Sequence, residues 1–323
     1  MKRAVVILMV VCLMSSMGSL AIGAQEKYPT RAITAVIPWS AGGMTDVSCR
    51  ILAKKMEEVL GQPIAIVNKA GASGVIGLSH ALRQKPDGYT LCGAALTFAL
   101  TAPYFQKAKP FDTGNIGYIG GHMPQERVLF GQMDAPYKTF DEFLAFVKKN
   151  PGIVTVGGAG AQWALEVMKS IAVHDKLKMR YVLFGGGAPC SAAILGRHVT
   201  VAETGVGTPA FLAARDGKLR LLMNLGSGPV PFFPKVKNIK EMGYPFSTMV
   251  EYGWVAPGGT PQFILERLEH ALKKALEDPG CIEKMTKIGL TPRFIPGKEL
   301  KKRSVEGVAS VPELLEYNKA LPK

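Results

Sequence analysis

The chain has 323 residues, with 39 Lys and Arg against 25 Asp and Glu, and a formal net charge of +14. Because this length exceeds what one hydrophobic core usually supports, we expect two lobes. The positive charge either attracts anionic ligands or is spread over solvated helix faces, as Lys54-Lys55 and Lys273-Lys274 indicate. No basic stripe carries interleaved aromatic residues, which argues against nucleic acid as a partner.

The N-terminus is typical of a secretory signal peptide. Lys2 and Arg3 precede an apolar run at 4–13, and small residues follow as far as Ala24. The apolar run is shorter than the ~20 residues that a membrane-spanning helix needs. We therefore predict a signal peptide at 1–24 and a mature protein that works in the periplasm.

Four cysteines follow the predicted signal peptide, and their pairing is open. The oxidising compartment permits disulfides, but the spacings match no disulfide framework. Cys92 lies in an apolar strand pattern and Cys190 at the start of a helical one, which is also typical of buried free thiols. Both states stay possible for Cys49, Cys92, Cys190 and Cys281.

Strand and helix patterns alternate from residue 32 onward. Strands are predicted at 32–39, 63–68 and 89–94, and helices at 45–60 and 73–83. In the first helix Leu52, Met56 and Leu60 share one face, and Gly61 has the residue type of a left-handed cap. Because strands that alternate with helices form parallel sheets, this part of the chain predicts an α/β lobe.

A second alternating set predicts a second lobe. The predicted strands are 128–131, 153–156, 179–184, 198–202 and 219–225; the predicted helices begin at 139 and cover 162–173, 188–195 and 209–215. Thr139 and Glu142 form a T-x-x-E capping box.

The C-terminal part begins with a connector rich in Pro, Gly and Lys at 226–244. A strand at 249–256 follows, then a long helix with Thr260 as N-cap and Pro261 as its first residue, and two more helices. We predict an α/β fold with parallel-type sheets, helices on both faces and a cleft between two lobes. Lobe I comprises 25–124 plus 228–323, and lobe II comprises 125–227.

A loop of small residues joins the first strand to the first helix. A helix N-terminus carries roughly half a positive charge and N–H donors without partners, so it can bind a carboxylate without Arg or Lys. Alternatively, the loop is a tight turn capped by Thr45 or Asp46 that binds nothing. The candidate ligand-binding residues here are Trp39, Ser40, Ala41, Gly42, Gly43, Met44, Thr45 and Asp46.

Two further glycine loops join strands to helices in the second lobe. Ligands of open α/β sheets bind beyond the carboxyl ends of the strands, so we expect the loops of both lobes to face one cleft. Trp39 and Phe184 either line that cleft or pack into their own lobes. The additional candidates are Gly158, Ala159, Gly160, Ala161 and Gln162 in the second loop, and Phe184, Gly186, Gly187 and Ala188 in the third.

The sequence lacks the recognisable parts of a catalytic site. It contains no G-x-S-x-G elbow and no phosphate loop, and Asp46 is better explained as a cap than as a general base. We expect a binding protein with no catalytic residues, no metal and no cofactor; an exported enzyme that processes carboxylates is the alternative. The histidines lack metal-ligand spacing at His80, His122, His174, His198 and His270.

The ordered segments resemble the extracytoplasmic receptors of tripartite tricarboxylate transporters, also called Bug receptors. The resemblance covers nearly the whole mature chain: YPTRAITAVIPWSAGGMTD at 28–46, GQPIAIVNKAGASGVIG at 61–77, KPDGYTL at 85–91, TFDEFLAFVKKNPG at 139–152, GGGAP at 185–189 and GWVAPGGTP at 253–261.

This resemblance implies a two-lobe periplasmic binding fold, type II-like, that holds a small carboxylate. It implies that the first and second loops grip one carboxylate, partly through ordered waters, while the third loop faces the distal end of the ligand. It also implies membrane transporter subunits as partners, and we expect a monomer. A receptor that serves a signalling system would have the same sequence features.

Several residues depart from the family pattern. Trp39 stands where Phe is usual, Met44 where a third glycine is usual, and Gln162 near a common histidine. Phe184-Gly185 replaces a Tyr followed by a basic or polar residue, and the helix at 190–195 lacks an aspartate that many relatives have. An amino-acid ligand is disfavoured, because its ammonium group would need such a carboxylate. The carboxylate that is bound stays unidentified.

Overall fold

The computed structural model describes residues 27–106, 108–109, 111–159, 162–226, 228–244, 248–309, 311–312 and 315–316. The predicted signal peptide at 1–24 lies outside these residues. Within the described part of the chain, no helix is both long enough and apolar enough to cross a membrane.

The first lobe begins with three parallel strands in the order β2-β1-β3. A short 3-10 turn at Ala72–Gly74 precedes the second helix. The elements are β1 (Ile33–Ile37), α1 (Met44–Leu60), β2 (Ile64–Asn68), α2 (Val75–Leu82), β3 (Thr90–Ala95) and α3 (Leu96–Phe105).

The second lobe is built on a sheet of five strands. Its elements are β4 (Ile116–Gln132), α4 (Phe140–Lys149), β5 (Thr155–Ala159), α5 (Gln162–His174), β6 (Arg180–Phe184), α6 (Gly187–Leu195), β7 (Val201–Gly205), α7 (Pro209–Arg215) and β8 (Leu219–Asn224). Strand β5 runs parallel to β6 and β7, whereas β4 runs antiparallel to β7 and β8.

The chain then returns to the first sheet. Strand β9 inserts between β3 and β4 and runs antiparallel to both, and β10 pairs antiparallel with β4. The elements are β9 (Met249–Pro257), α8 (Gln262–Glu277), α9 (Pro279–Lys287), β10 (Ile295–Pro296) and α10 (Gly297–Ala309).

Strand β4 belongs to both sheets. It pairs with β9 as far as Glu126 and with β7 from Arg127 onward. The predicted two-lobe α/β fold is confirmed, but the sheets are mixed rather than purely parallel, because the chain enters the second lobe along β4 and returns along β9. The predicted lobe boundaries stay a prediction; the 228–244 segment packs partly on the second lobe through Val230, Phe233 and Val236.

Helix ends follow the sequence signals in one case and not in another. Thr139 Oγ1 accepts a hydrogen bond from the Glu142 amide at 3.2 Å, as the capping box predicts. The prediction for α8 was wrong by one residue: Pro261 is the N-cap, and Thr260 Oγ1 instead donates to the Pro257 carbonyl at 2.7 Å.

The four cysteines are buried free thiols in the structure. Cys49 and Cys92 lie in the core of the first lobe, and Cys190 lies in the second. Burial raises the pKa of the Cys92 thiol, so it stays protonated and behaves as a small apolar side chain.

Candidate ligand-binding site

The loop between β1 and α1 folds around its own backbone. Gly42 adopts a left-handed conformation with φ 74°, which glycine adopts without strain, and its amide donates to Asp46 Oδ2 at 3.0 Å. The Gly43 amide donates to the Ser40 carbonyl at 3.3 Å. Gly43 is the N-cap of α1 and provides no side-chain cap, so the amides of Met44 and Thr45 have no partner among the described residues.

Asp46 stabilises this loop instead of capping the helix terminus. Its carboxylate also accepts hydrogen bonds from Arg50 Nε at 2.9 Å and from Asn68 Nδ2 at 2.9 Å. Burial works to raise the pKa of the Asp46 carboxyl, but the hydrogen bonds from Arg50, Gly42 and Asn68 outweigh this and hold the pKa below its ordinary value. Asp46 is therefore an ionised structural group.

Helix α6 begins in the same way. Its N-cap, Gly186, offers no side-chain hydrogen bond, and Pro189 in its first turn has no N–H. A Cβ on Gly187 would lie 2.8 Å from Thr208 Cγ2, so a larger residue there would have to displace the Thr208 side chain. Within the described part of the chain, the amides of Gly187 and Ala188 have no hydrogen-bond partner.

The two helix N-termini meet across the lobes. A Cβ on Gly43 would stand 3.6 Å from the Gly187 nitrogen and 3.9 Å from the Ala188 nitrogen. Beside them, the Ser40 amide donates to the Gly185 carbonyl at 3.4 Å and Ser40 Oγ donates to it at 3.2 Å. Two positive helix ends that face each other at this distance can be compensated by an anion between them.

The first loop contacts the third loop through the hydrogen bonds of Ser40 to Gly185. Ala159 of the second loop borders the same space, but Gly160 and Ala161 lie outside the described residues. Gln162 is the first residue of α5. Gly158 has a packing role, because a Cβ there would clash with the Leu165 side chain. The contacts of the second loop with a ligand stay a prediction.

The loops enclose a small space between the lobes. Its cavity volume is about 20 Å³, which is about the room that one water molecule needs, and its walls are both polar and apolar. It is lined by Trp39, Gly43, Met44, Thr45, Ala95, Phe98, Arg127, Ala159, Gly187, Thr208 and Tyr252. Among the described residues, no group of three or more His, Cys, Asp or Glu side chains is placed to hold a metal ion.

The two candidate aromatic residues lie in different surroundings. Trp39 borders the enclosed space and also packs on the first lobe, since a Cβ on Gly74 would lie 2.8 Å from Trp39 Cζ2. The Phe184 ring packs on the second-lobe core close to Gly157, and Phe184 does not line the space. Trp39 therefore both lines the enclosed space and packs on the first lobe.

A buried ion pair at this site escaped the sequence analysis. Arg127 on β4 donates from Nε to Glu203 Oε1, and from Nη2 to Glu203 Oε2 at 2.9 Å. Arg127 is 4% exposed and Glu203 is completely buried. Burial works to lower the pKa of Arg127, but the adjacent Glu203 carboxylate outweighs this and raises it. A sequence signal existed: Glu203 is a single charge within an apolar strand pattern, and Arg127, which follows Glu126, directly precedes another.

Residues of both lobes surround this pair. The guanidinium carbon of Arg127 lies 5.2 Å from the centroid of the Phe98 ring, which belongs to the first lobe. Tyr252 donates from its hydroxyl to Gln125 Oε1 at 2.7 Å, and Gln125 Nε2 donates to the Val206 carbonyl at 2.5 Å. Burial raises the pKa of Tyr252, so its hydroxyl stays protonated. A polar chain therefore links β9 to the end of β7 beside the enclosed space.

Comparison with known proteins identifies the class. The family model described as tripartite tricarboxylate transporter family receptor matches residues 48–316. The chain belongs to this family of solute-binding receptors.

Individual relatives agree with this assignment. The UPF0065 protein of the gbd 5' region of Cupriavidus necator is 32% identical over 307 residues, which cover 94% of this chain and 93% of that protein. A structure described as a periplasmic transporter has a TM-score of 0.83 and 28% identity, and covers 91% of this chain and 99% of its own. MatC from Rhodopseudomonas palustris, solved with bound malate, shares the fold with a TM-score of 0.78 at 24% identity, covering 89% of this chain and 100% of its own.

Proposed function

We propose that this protein is a periplasmic receptor that captures a small organic carboxylate between its two lobes. It then delivers the carboxylate to the membrane subunits of a tripartite tricarboxylate-type transporter and catalyses no reaction. One observation carries this proposal: the uncapped N-termini of α1 and α6 face each other at Gly43 and Gly187.

The geometry suits a carboxylate in both charge and hydrogen bonding. Each helix N-terminus contributes roughly half a positive charge, and each offers amide donors in its first turn. A carboxylate has two oxygens with about four acceptor sites, so it can accept from both helices at once. An anion held in this way joins the lobes, because Gly43 belongs to one lobe and Gly187 to the other.

Other observations support a binding role over an enzymatic one. Asp46, the acidic residue of the first loop, is held by Arg50, Gly42 and Asn68, which favours a structural role over that of a general base. MatC, which has the same fold, holds a carboxylate. The predicted signal peptide fits a periplasmic receptor. No observation favours a signalling role, and the expected monomer can be checked by size-exclusion chromatography.

The proposal is tested with the purified mature protein. We expect a thermal-shift screen of small mono-, di- and tricarboxylates to yield at least one ligand that raises the melting temperature. At a concentration about 100-fold above its dissociation constant, a ligand stabilises the folded state by about 2.7 kcal/mol. Mass spectrometry after incubation should recover that ligand unchanged.

Two results would contradict the proposal. If no carboxylate binds, the receptor interpretation fails, and if a new product forms, the exported-enzyme alternative replaces it. The delivery step is tested separately by measuring uptake of the identified ligand in cells with and without the transporter's membrane subunits. Uptake that does not depend on those subunits would exclude the delivery role.

A further inference from the structure

The space between the lobes has an unusual charge balance. Among the described residues that line it, Arg127 is the one charged side chain. Its Nε and Nη2 atoms are both bound by Glu203, which lies behind it on β7 and does not line the space. The lining therefore contains a cation that is already neutralised.

The guanidinium cannot leave Glu203 to serve a ligand without cost. Glu203 is completely buried, so moving Arg127 away would leave its carboxylate without a counter-charge. The Phe98 ring packs against the guanidinium and restrains it further. The pair thus stays together when a ligand is bound, with net charge zero.

The positive charge available to a ligand then comes from the helix ends. Two N-termini at roughly half a unit each supply about one positive charge, which matches one carboxylate. The neighbouring side chains of Trp39, Met44, Ala95, Phe98 and Ala159 are apolar. A second carboxylate enclosed here would be buried without a cation of its own.

We propose that the receptor selects ligands with a single carboxylate, and that Glu203 sets this selectivity by neutralising Arg127. The inference rests on the proposed function and narrows its ligand class. The remainder of the ligand is apolar, or ends in a neutral group that accepts a hydrogen bond from Arg127. Since MatC holds the dicarboxylate malate in the same fold, the fold itself admits two carboxylates, and the restriction resides in this chain's own residues.

Isothermal titration calorimetry with matched ligand pairs tests the inference. Butyrate and succinate, hexanoate and adipate, and benzoate and terephthalate each share a carbon skeleton and differ by one carboxylate. In each pair that binds, the wild-type protein should bind the monocarboxylate at least tenfold more tightly. In Glu203→Gln the guanidinium charge is no longer cancelled, so the affinity ratio should move at least tenfold towards the dicarboxylate.

Two further variants separate charge from structure. Glu251→Gln removes one of the two acidic partners of Arg303, at a position that does not line the space, and it should leave the ratio unchanged. The double variant Arg127→Met/Glu203→Met removes both charges, so it should keep the monocarboxylate preference. If Glu203→Gln does not fold, the wild-type ratio tests the monocarboxylate preference, and loss of that preference in the double variant overturns the inference.

The possible failures are distinguishable. A wild-type protein that binds the dicarboxylate of a pair as tightly as the monocarboxylate overturns this inference and leaves the receptor function intact. A ratio that is identical in wild type and folded Glu203→Gln overturns the role of Glu203. If no carboxylate of any kind binds, the proposed function fails first and the inference fails with it.

Discussion

Gly43 and Gly187 belong to different lobes, yet a Cβ on Gly43 would stand only 3.6 Å from the Gly187 amide nitrogen. The same Cβ would lie 3.2 Å from the Ser40 carbonyl oxygen. A larger side chain would therefore occupy the position from which both helix termini are reached. The backbone at Gly43 has φ −75°, which any residue can adopt, so the requirement for glycine comes from space and not from conformation.

This relationship predicts the effect of Gly43→Val. We expect affinity for the bound carboxylate to fall by ~2 kcal/mol or more, because charge-assisted hydrogen bonds to the helix amides are lost. Calorimetry measures the affinity, and the melting temperature verifies folding. Gly280→Val, in the first turn of α9 and outside the enclosed space, is the matched control. Unchanged affinity in a folded Gly43→Val protein would mean that the loop is only a turn.

Trp39 lines the enclosed space and packs on Gly74. A conservative and a severe substitution should therefore distinguish its role in ligand binding from its role in stability. We expect Trp39→Phe to change ligand affinity severalfold with a modest loss of stability. Trp39→Ala should also cost ~3 to 5 kcal/mol of unfolding free energy. Trp254→Phe, at a completely buried tryptophan away from the space, should reduce stability and leave affinity unchanged. If neither Trp39 variant alters affinity for any ligand, Trp39 belongs to the core alone.

Breaking the buried Arg127–Glu203 pair should cost more unfolding free energy than breaking an exposed ion pair. Arg127→Met leaves the Glu203 carboxylate buried without its partner, and we expect a loss of ~3 to 5 kcal/mol. Arg197 and Asp134 form an exposed pair at 2.9 Å, with side chains 63% and 64% exposed, so Arg197→Met should cost less than ~1 kcal/mol. Urea denaturation measures both changes, and equal losses would contradict the assigned burial of Arg127.

His122 should make stability depend on pH. Its buried Nδ1 has no hydrogen-bond partner among the described residues, and burial lowers the pKa of His122 to about 3. The unfolded chain binds a proton below about pH 6.5, while the folded protein does not until about pH 3. Unfolding free energy should therefore fall as pH falls from 6.5 towards 3.

The measurement is the melting temperature at several pH values in this window. His122→Gln should decline less steeply than wild type, because this protonation of the unfolded chain no longer occurs. His198→Gln, at an exposed histidine, is the matched control for the loss of an imidazole ring. Identical slopes in wild type and His122→Gln would show that other groups cause the acid sensitivity.

Local sequence patterns predicted much of the fold. They failed for the elements whose secondary structure depends on long-range packing. Strand β1 and helix α1 follow directly from an apolar strand pattern, helical spacing and Gly61 at φ 72°. Helix α3 was missed because its residues are apolar on all sides and give no helical period. The first half of β4 was missed because Gly117, Gly120 and Pro124 interrupt the strand pattern.

The candidate site was predictable to a similar degree. The first and third glycine loops lie at helix N-termini whose first amides have no partner among the described residues, whereas the second loop lies partly outside those residues and its role stays a prediction. Which loops meet depends on how the lobes are oriented, and local sequence carries no such information. The pairing of Arg127 with Glu203 is of the same kind, because it joins two strands that are 76 residues apart in the chain.

The lobes are connected by strand backbone rather than by free loops. β4 continues for 17 residues from one sheet into the other, with register shifts at Tyr118/Gly120, Gly121/Met123 and Leu129/Phe130. Any rotation of one lobe against the other must therefore bend these hydrogen-bonded strands, which resist bending elastically. Arg127 lies on β4 and Tyr252 on the adjacent β9, and both line the enclosed space, so bending of these strands changes the shape of that space.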